Sequence, residues 1–156
     1  MEQAELITML RDALKNGVRA FTSAINIVDG LQPGQAETRL AGSPYSITDL
    51  VAHMVFWQDR LVGALQSGVF GPGAEHASDG WPQASWPDVA QRFLAGLERL
   101  DALSGDREAL AHRFGDESGA SLINGMALHN AHHLGQIVAL RRLAGAWPPP
   151  GGGETW

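Results

Sequence analysis

The chain has 156 residues, of which 44% are hydrophobic, 18% are charged and 7% are aromatic. This length and composition are typical of a single globular domain over residues 1–156, and they exclude disordered, fibrous and disulfide-rich proteins. The sequence contains no cysteine, which excludes disulfides, thiolate zinc sites, iron–sulfur clusters and a cysteine nucleophile. Any bound metal must therefore be held by His, Asp or Glu.

The formal net charge is -6, from 11 basic and 17 acidic residues. This balance repels a phosphate backbone and no cluster of basic residues offsets it, so we expect no nucleic-acid partner. The first residues lack the basic start and apolar stretch of a secretory signal, and no run approaches the roughly 20 apolar residues of a membrane span. We therefore expect a cytoplasmic protein with no membrane partner.

Apolar residues in the N-terminal segment recur at steps of three and four, which predicts one long helix between Glu5 and Val28. Gly30, Pro33 and Gly34 are expected to end this helix, because glycine and proline interrupt helical runs. The apolar stripe of the helix should face a core.

A second helix is predicted to begin after Ser46 and to run to about Ser67. Ser46 is a favourable N-cap, and Asp49 stands three residues later, where a capping box usually has Glu or Gln. Residues 68–85 are rich in Gly, Pro, Ala and Ser and have no hydrophobic period, which predicts a long crossover loop.

Two further helices are predicted in the C-terminal half. The segment SWPD at residues 85–88 is typical of a helix N-terminus, and the apolar stripe that follows ends near Gly105. After a polar connector, residues 121–145 predict a fourth helix that Gly145 terminates.

Four helices with one long connection predict an all-α fold, a four-helix bundle with a long crossover between helices two and three. No alternating strand pattern is present. The Pro- and Gly-rich tail, residues 145–156, cannot form a helix, and Trp147 and Trp156 predict that it packs on the body of the domain.

The six histidines, at positions 53, 76, 112, 129, 132 and 133, are the candidate chemical residues. His129 and His133 are four residues apart, so their rings share one helix face and can point at a single ion. His53 interrupts an apolar run at a core-facing position and is the natural third ligand of a divalent metal. A shared ion would offset the cost of burying three imidazoles. His132 is expected in an outer shell or at the surface.

Simpler interpretations of the histidines stay open. A lone histidine at position 53 is more often a core residue that is hydrogen-bonded to a carbonyl, and His129 with His133 can form a solvated helix face. His76 in the crossover and His112 in the connector are expected to be solvated.

Other residues also have two interpretations. Trp57, Trp81 and Trp86 are expected first as core anchors and second as walls of a substrate pocket. Gln136 can orient a ligand or fill a packing gap, with packing favoured. Asp49 can accept the second N–H of the histidine at position 53 or cap its helix.

The segments ITDLVAHMVFWQDRLVGAL and MALHNAHHLGQIVALRRL together resemble the DinB-like superfamily of damage-inducible and YfiT-type proteins. The pattern of that superfamily pairs a histidine on the second helix with an HxxxHxxQ-type element. The resemblance covers nearly the whole chain and includes the order of elements, the GWP sequence after the crossover and the pair Gly135-Gln136. It implies a four-helix bundle, often dimeric, with His53, His129 and His133 as ligands of nickel, zinc, iron or manganese.

The resemblance also implies metal-dependent thiol transfer or hydrolysis. Because the chain has no cysteine, the thiol would be a small co-substrate such as bacillithiol, mycothiol or glutathione, bound to the metal as thiolate. A hydrolase would use the same ion to activate water. No catalytic residue is assigned.

Two other classes of function remain as alternatives. The first is a non-catalytic metal-binding module of a stress response. The second is a DNA-acting protein, against which the net charge of -6 argues. A homodimer that uses apolar surface such as Phe70 or the tryptophan-bearing tail is a further expectation.

Overall fold

The computed structural model describes residues 3–16, 22–71 and 80–152. This part of the chain is mostly helical. Its elements are α1 (Gln3–Lys15), α2 (Ala24–Val28), α3 (Pro33–Ala36), α4 (Ile47–Ser67), α5 (Trp86–Ser104), α6 (Arg107–Ala111), β1 (Arg113–Phe114), β2 (Glu117–Ser118) and α7 (Gly119–Leu143). No helix among these elements is long and apolar enough to cross a membrane.

The second predicted helix is confirmed as α4, with the predicted capping chemistry at its N-terminus. The Asp49 amide donates to Ser46 Oγ at 3.1 Å, and the Ser46 amide donates to Asp49 Oδ2 at 2.9 Å. The two bonds satisfy amides that the first helical turn leaves without intrahelical partners. Gly68 follows in the left-handed conformation, with φ of 73°.

The third and fourth predicted helices are confirmed as α5 and α7. Helix α5 begins directly after Ser85 and ends before Gly105, as predicted. Helix α7 begins two residues earlier than predicted, because the Ser118 hydroxyl accepts a hydrogen bond from the Ser121 amide and caps the helix. Gly145 follows the C-terminus of α7 with φ of 67°.

The prediction of one long N-terminal helix is wrong. Helix α1 ends at Lys15, and Ser23 has extended backbone and caps the separate helix α2 by accepting from the Asn26 amide. The periodicity did not reveal the break, since the spacing of apolar residues reports which face is buried and not whether the backbone is continuous. Val18 and Phe21, two apolar residues of the predicted helix, lie outside the described residues.

The connectors contain more regular structure than the sequence predicted. Pro33, expected only to end a helix, is the first residue of α3. The polar connector before α7 contains α6 and a two-residue antiparallel hairpin in which Arg113 pairs with Ser118. The sequence has no alternating pattern that would predict this two-residue hairpin, in which Gly115 turns the chain with φ of 66°.

Two clusters of buried apolar side chains form the core. On α4, Val55 belongs to the first cluster and Leu61 to the second, while on α7 Ala127 belongs to the second and Leu134 to the first. Buried Gln58 and Asn130 occupy the intervals between them on α4 and α7. A polar layer therefore separates the two clusters.

A buried arginine connects α7 with α2 and with the tail. Arg141, only 2% exposed, donates from Nη1 to the carbonyls of Ile27 and Asp29 and from Nε to the carbonyl of Ala146. Its guanidinium carbon lies 5.5 Å from the ring centroid of Trp147. Burial lowers the pKa of Arg141, and the three carbonyls accept hydrogen bonds from its Nε and Nη1 groups. Trp156 lies outside the described residues.

Candidate metal centre

The candidate centre lies where α4 and α7 pack against each other. His53 is on the second turn of α4, and His129 and His133 share one face in the middle of α7. The two helices are antiparallel, because a Cβ added at Gly119, the first residue of α7, would lie 2.9 Å from Leu65 near the end of α4. This arrangement brings positions 76 residues apart into side-chain contact.

The three rings converge on a small volume. His53 Nε2 and His129 Nε2 are 2.9 Å apart. The His133 ring centroid lies 4.7 Å from that of His53 and 4.6 Å from that of His129. One nitrogen from each ring can be chosen so that the three atoms all lie within 4.8 Å of one another. Partial burial of all three rings limits competition from bulk water.

This donor set fits a divalent transition metal after a small adjustment. Metal–imidazole bonds are about 2.0–2.1 Å long, so two ligands of one ion can be at most about 4.2 Å apart. The widest pair of nitrogens therefore needs to close by no more than about 0.6 Å. Neutral imidazole nitrogens suit zinc, iron and nickel, and they do not by themselves select one metal.

The protonation state of the rings favours metal binding. Burial, reinforced by the neighbouring His133, lowers the pKa of His129 to about 4. Burial also lowers the pKa of His133, against the hydrogen bond that His133 donates to Gln136, which raises it. The two rings are therefore neutral near pH 7, and a neutral ring keeps the lone pair that a metal requires.

Gln136 orients His133. Its Oε1 lies 2.7 Å from His133 Nδ1, and an amide oxygen only accepts, so Nδ1 carries the proton and Nε2 keeps the lone pair. The side chain of Gln136 is exposed, which favours the orienting role over the packing role. Asp49, by contrast, is engaged with Ser46 and with Arg39, at 3.1 Å, so its role is helix capping.

Aromatic side chains flank the centre on the side of His53. The ring of Trp81 lies 4.9 Å from that of His53, and the ring of Trp57 lies 6.5 Å from it. Tyr45 extends this wall, with its ring 5.7 Å from that of Trp81. Trp86 is instead a core anchor, buried and donating its indole N–H to the Leu31 carbonyl at 2.9 Å.

The two other described histidines, His112 and His132, lie outside the cluster. His132 is exposed, with its ring edge-on to that of His133 at 5.0 Å, which places it at the surface. His112 is half-buried beside Phe114, with the two rings 6.2 Å apart, so the expectation that it is solvated holds only in part. His76 lies outside the described residues.

Sequence reasoning missed Tyr45 and the polar layer of Gln58 and Asn130. Tyr45 belongs to an aperiodic link, where spacing carries no signal. The polar layer did have a signal, because Asn130 falls on the buried stripe of α7 that Ile123 and Ile137 also occupy, seven residues away on either side. A polar residue at a core position is the pattern that also drew attention to the histidine of α4.

The described chain is mostly helical, and α4 and α7 bring three imidazoles together. These two features define a helical protein with a candidate metal centre. The family model of the DinB superfamily matches residues 17–137, and the chain belongs to this superfamily. No curated protein matches the chain significantly. No solved structure does so either.

Proposed function

We propose that the chain is a metal-dependent enzyme that holds a divalent transition metal through His53, His129 and His133. The observation that carries the proposal is the convergence of three partly buried imidazoles from two helices on one small volume. Membership of the DinB superfamily supports it. The metal is nickel, zinc, iron or manganese.

We propose either transfer of a low-molecular-weight thiol or hydrolysis as the reaction. Three protein ligands leave coordination positions for a further molecule, as in catalytic metal sites. When bound, the ion would lower the pKa of a coordinated thiol or water and so supply a nucleophile near pH 7. The thiol has to come from a second substrate, because the chain contains no cysteine.

The chain's own residues hold and orient the ligands. The hydrogen bond from His133 Nδ1 to Gln136 leaves Nε2 available, and burial keeps His129 neutral. Trp57 and Trp81 flank His53 with their rings. No side chain is assigned as a general acid or base.

The same proposal includes a bundle architecture. Helix α4 packs against α5 and α7, and α1 packs against the same two helices. These contacts support a four-helix bundle of α1, α4, α5 and α7 in which residues 68–85 form the crossover. The homodimer and the cytoplasmic location stay predictions from the sequence.

Elemental analysis of protein purified without added metal or chelator tests the metal site. We expect about one equivalent of a transition metal per chain, lost in His129→Ala and kept in His132→Ala, which removes an exposed histidine three residues further along the same helix. Equal metal content in the two variants would refute the ligand assignment.

Turnover is tested separately on the metal-loaded protein, with a panel of low-molecular-weight thiols and electrophiles and a panel of hydrolysable esters and amides. Activity in one panel, absent from His129→Ala, is the expected result. A thermal shift on metal addition without activity in either panel would refute the enzyme proposal and favour the non-catalytic metal-binding module.

A further inference from the structure

A groove lies beside the candidate metal centre, between the link that precedes α4 and the C-terminal part of α7. Its volume is about 400 Å³, within the range of about 300–1,000 Å³ that small-molecule sites occupy. The residues that line it include Leu40, Tyr45, Leu50, Gln136, Leu140 and Leu143. None of the lining residues within the described chain carries a charge.

The groove is joined to the candidate metal centre at two points. Gln136 lines the groove and accepts the hydrogen bond from His133. Tyr45 lines it as well, and its ring contacts Trp81, whose ring contacts that of His53. The groove therefore lies one side chain, that of Gln136, away from His133.

The link that forms one wall is held by its own hydrogen bonds. The Ser43 hydroxyl donates to the Tyr45 carbonyl at 2.6 Å, and the Ser43 amide donates to the Leu40 carbonyl at 3.0 Å. Gly42 turns the link with φ of 83°. A wall that is already formed costs less ordering entropy when a ligand binds.

We propose that this groove binds the uncharged apolar part of the substrate, while the reacting group of the same molecule lies at the His53–His129–His133 cluster. The proposal rests on the proposed function. It commits to a small molecule with an apolar chain or ring, because the lining is uncharged and mostly apolar. The lining also includes polar side chains, and one of them, Gln136, contacts His133.

The first experiment compares ethanethiol with 1-hexanethiol on the Co²⁺-loaded protein, with the thiolate-to-cobalt absorption band as the readout. Each buried methylene contributes about a fourfold gain in affinity. The two thiols differ by four methylenes, and an open groove that removes half of the tail from water gives an expected preference of about 15-fold for 1-hexanethiol.

Two leucines on α7 offer a matched pair of variants. Leu143 lines the groove and is 77% exposed, whereas Leu128 lies outside it and is 65% exposed. Leu143→Asn should reduce the preference at least threefold and Leu128→Asn should leave it unchanged. Ala139→Trp, which adds bulk to an exposed lining position, should reduce the preference below about threefold.

A second experiment measures ligand binding to the groove in the absence of metal. In metal-free protein, 1-hexanol should shift the NMR methyl signals of Leu140 and Leu143 and leave those of Leu128 in place. If Co²⁺ fails to bind, the proposed function fails, and the hexanol titration still decides whether the groove binds apolar molecules.

Three results would overturn the inference while leaving the metal site intact. These are equal affinity for the two thiols, equal effects of the two leucine variants, and hexanol shifts that are as large at Leu128 as at Leu143. Sedimentation provides a further check. A dimer that dissociates in Ala139→Trp would assign the groove to a second copy of the chain and overturn the proposal.

Discussion

Replacing Gln136 with leucine should weaken metal binding without unfolding the protein. The Gln136 oxygen accepts the Nδ1 proton of His133 at 2.7 Å, which fixes the ring in the tautomer that presents Nε2. In the variant the proton can move to either nitrogen and the ring can rotate. The side chain at position 136 is exposed, so its loss leaves no cavity in the core.

The expected loss of metal affinity is about tenfold. Removing the outer hydrogen-bond partner of a metal-binding histidine costs about 10–100-fold in affinity. The exposure of Gln136 places the effect at the lower end, because water can replace part of the lost hydrogen bond. A tenfold change corresponds to about 1.4 kcal/mol.

Competition for Zn²⁺ or Co²⁺ with a chromophoric chelator at pH 7.5 measures this affinity. Gln136→Glu should bind at least as tightly as the natural chain, since a carboxylate accepts the same proton. Gln66→Leu, an exposed glutamine on α4, serves as the control and should have no effect. Equal affinity of Gln136→Leu and Gln66→Leu, or an equal loss in the Leu and Glu variants at position 136, would refute the orienting role.

Three further predictions concern stability. A Cβ at Gly119 would lie 2.0 Å from the Ala109 carbonyl oxygen, so Gly119→Ala should lower the free energy of unfolding in urea by about 3 kcal/mol. Gly125→Ala, with open space around the added Cβ, should raise it by about 0.5–1 kcal/mol. Similar values for the two variants would contradict the packing. Gln58→Met should raise the free energy of unfolding by about 1–2 kcal/mol, because neither amide atom of this buried side chain has a hydrogen-bond partner among the described residues. A lower melting temperature would count against this account. Below pH 6.5 His129 takes up a proton in the unfolded chain, whereas in the folded chain its pKa of about 4 keeps it neutral. Metal-free protein should therefore lose stability as the pH falls from about 6.5 to 4. The full shift corresponds to about 3 kcal/mol, which partial solvent exposure reduces to about 1–2 kcal/mol. A chelator-treated His129→Asn variant with an equally steep pH profile would contradict this cause.

The helices that the sequence predicted well have explicit start and stop signals. Helix α4 has the reciprocal Ser46 and Asp49 cap at its start and Gly68 at its end, and α7 is followed by Gly145. These signals act within a few residues and need no tertiary partner. The predicted helix from Glu5 to Val28 failed because apolar spacing continued across the break before Ser23. Its apolar stripe was right only in part, since Leu10, Leu14 and Val28 are buried whereas Met9 and Ile25 are more than half exposed.

The candidate centre was predicted in part for the same reason. The i, i+4 spacing of His129 and His133 determines a shared face wherever the helix forms. The chemistry of His53 as a polar ring at an apolar position was also visible in the sequence. The role of Gln136 stayed open between orienting a ligand and packing, because a glutamine three residues further along a helix can point to solvent or to the ring.

The sequence by itself determined the helical class, the ends of the three longest helices and the residue types that could bind a metal, because these depend on local spacing and on side-chain chemistry. Only the tertiary structure decided that α4 and α7 run antiparallel in a register that places His53 Nε2 2.9 Å from His129 Nε2. It also decided that an uncharged groove opens beside them. Register and groove shape result from packing between residues distant in the chain, where a shift of one helical turn, about 5.4 Å, would separate the rings.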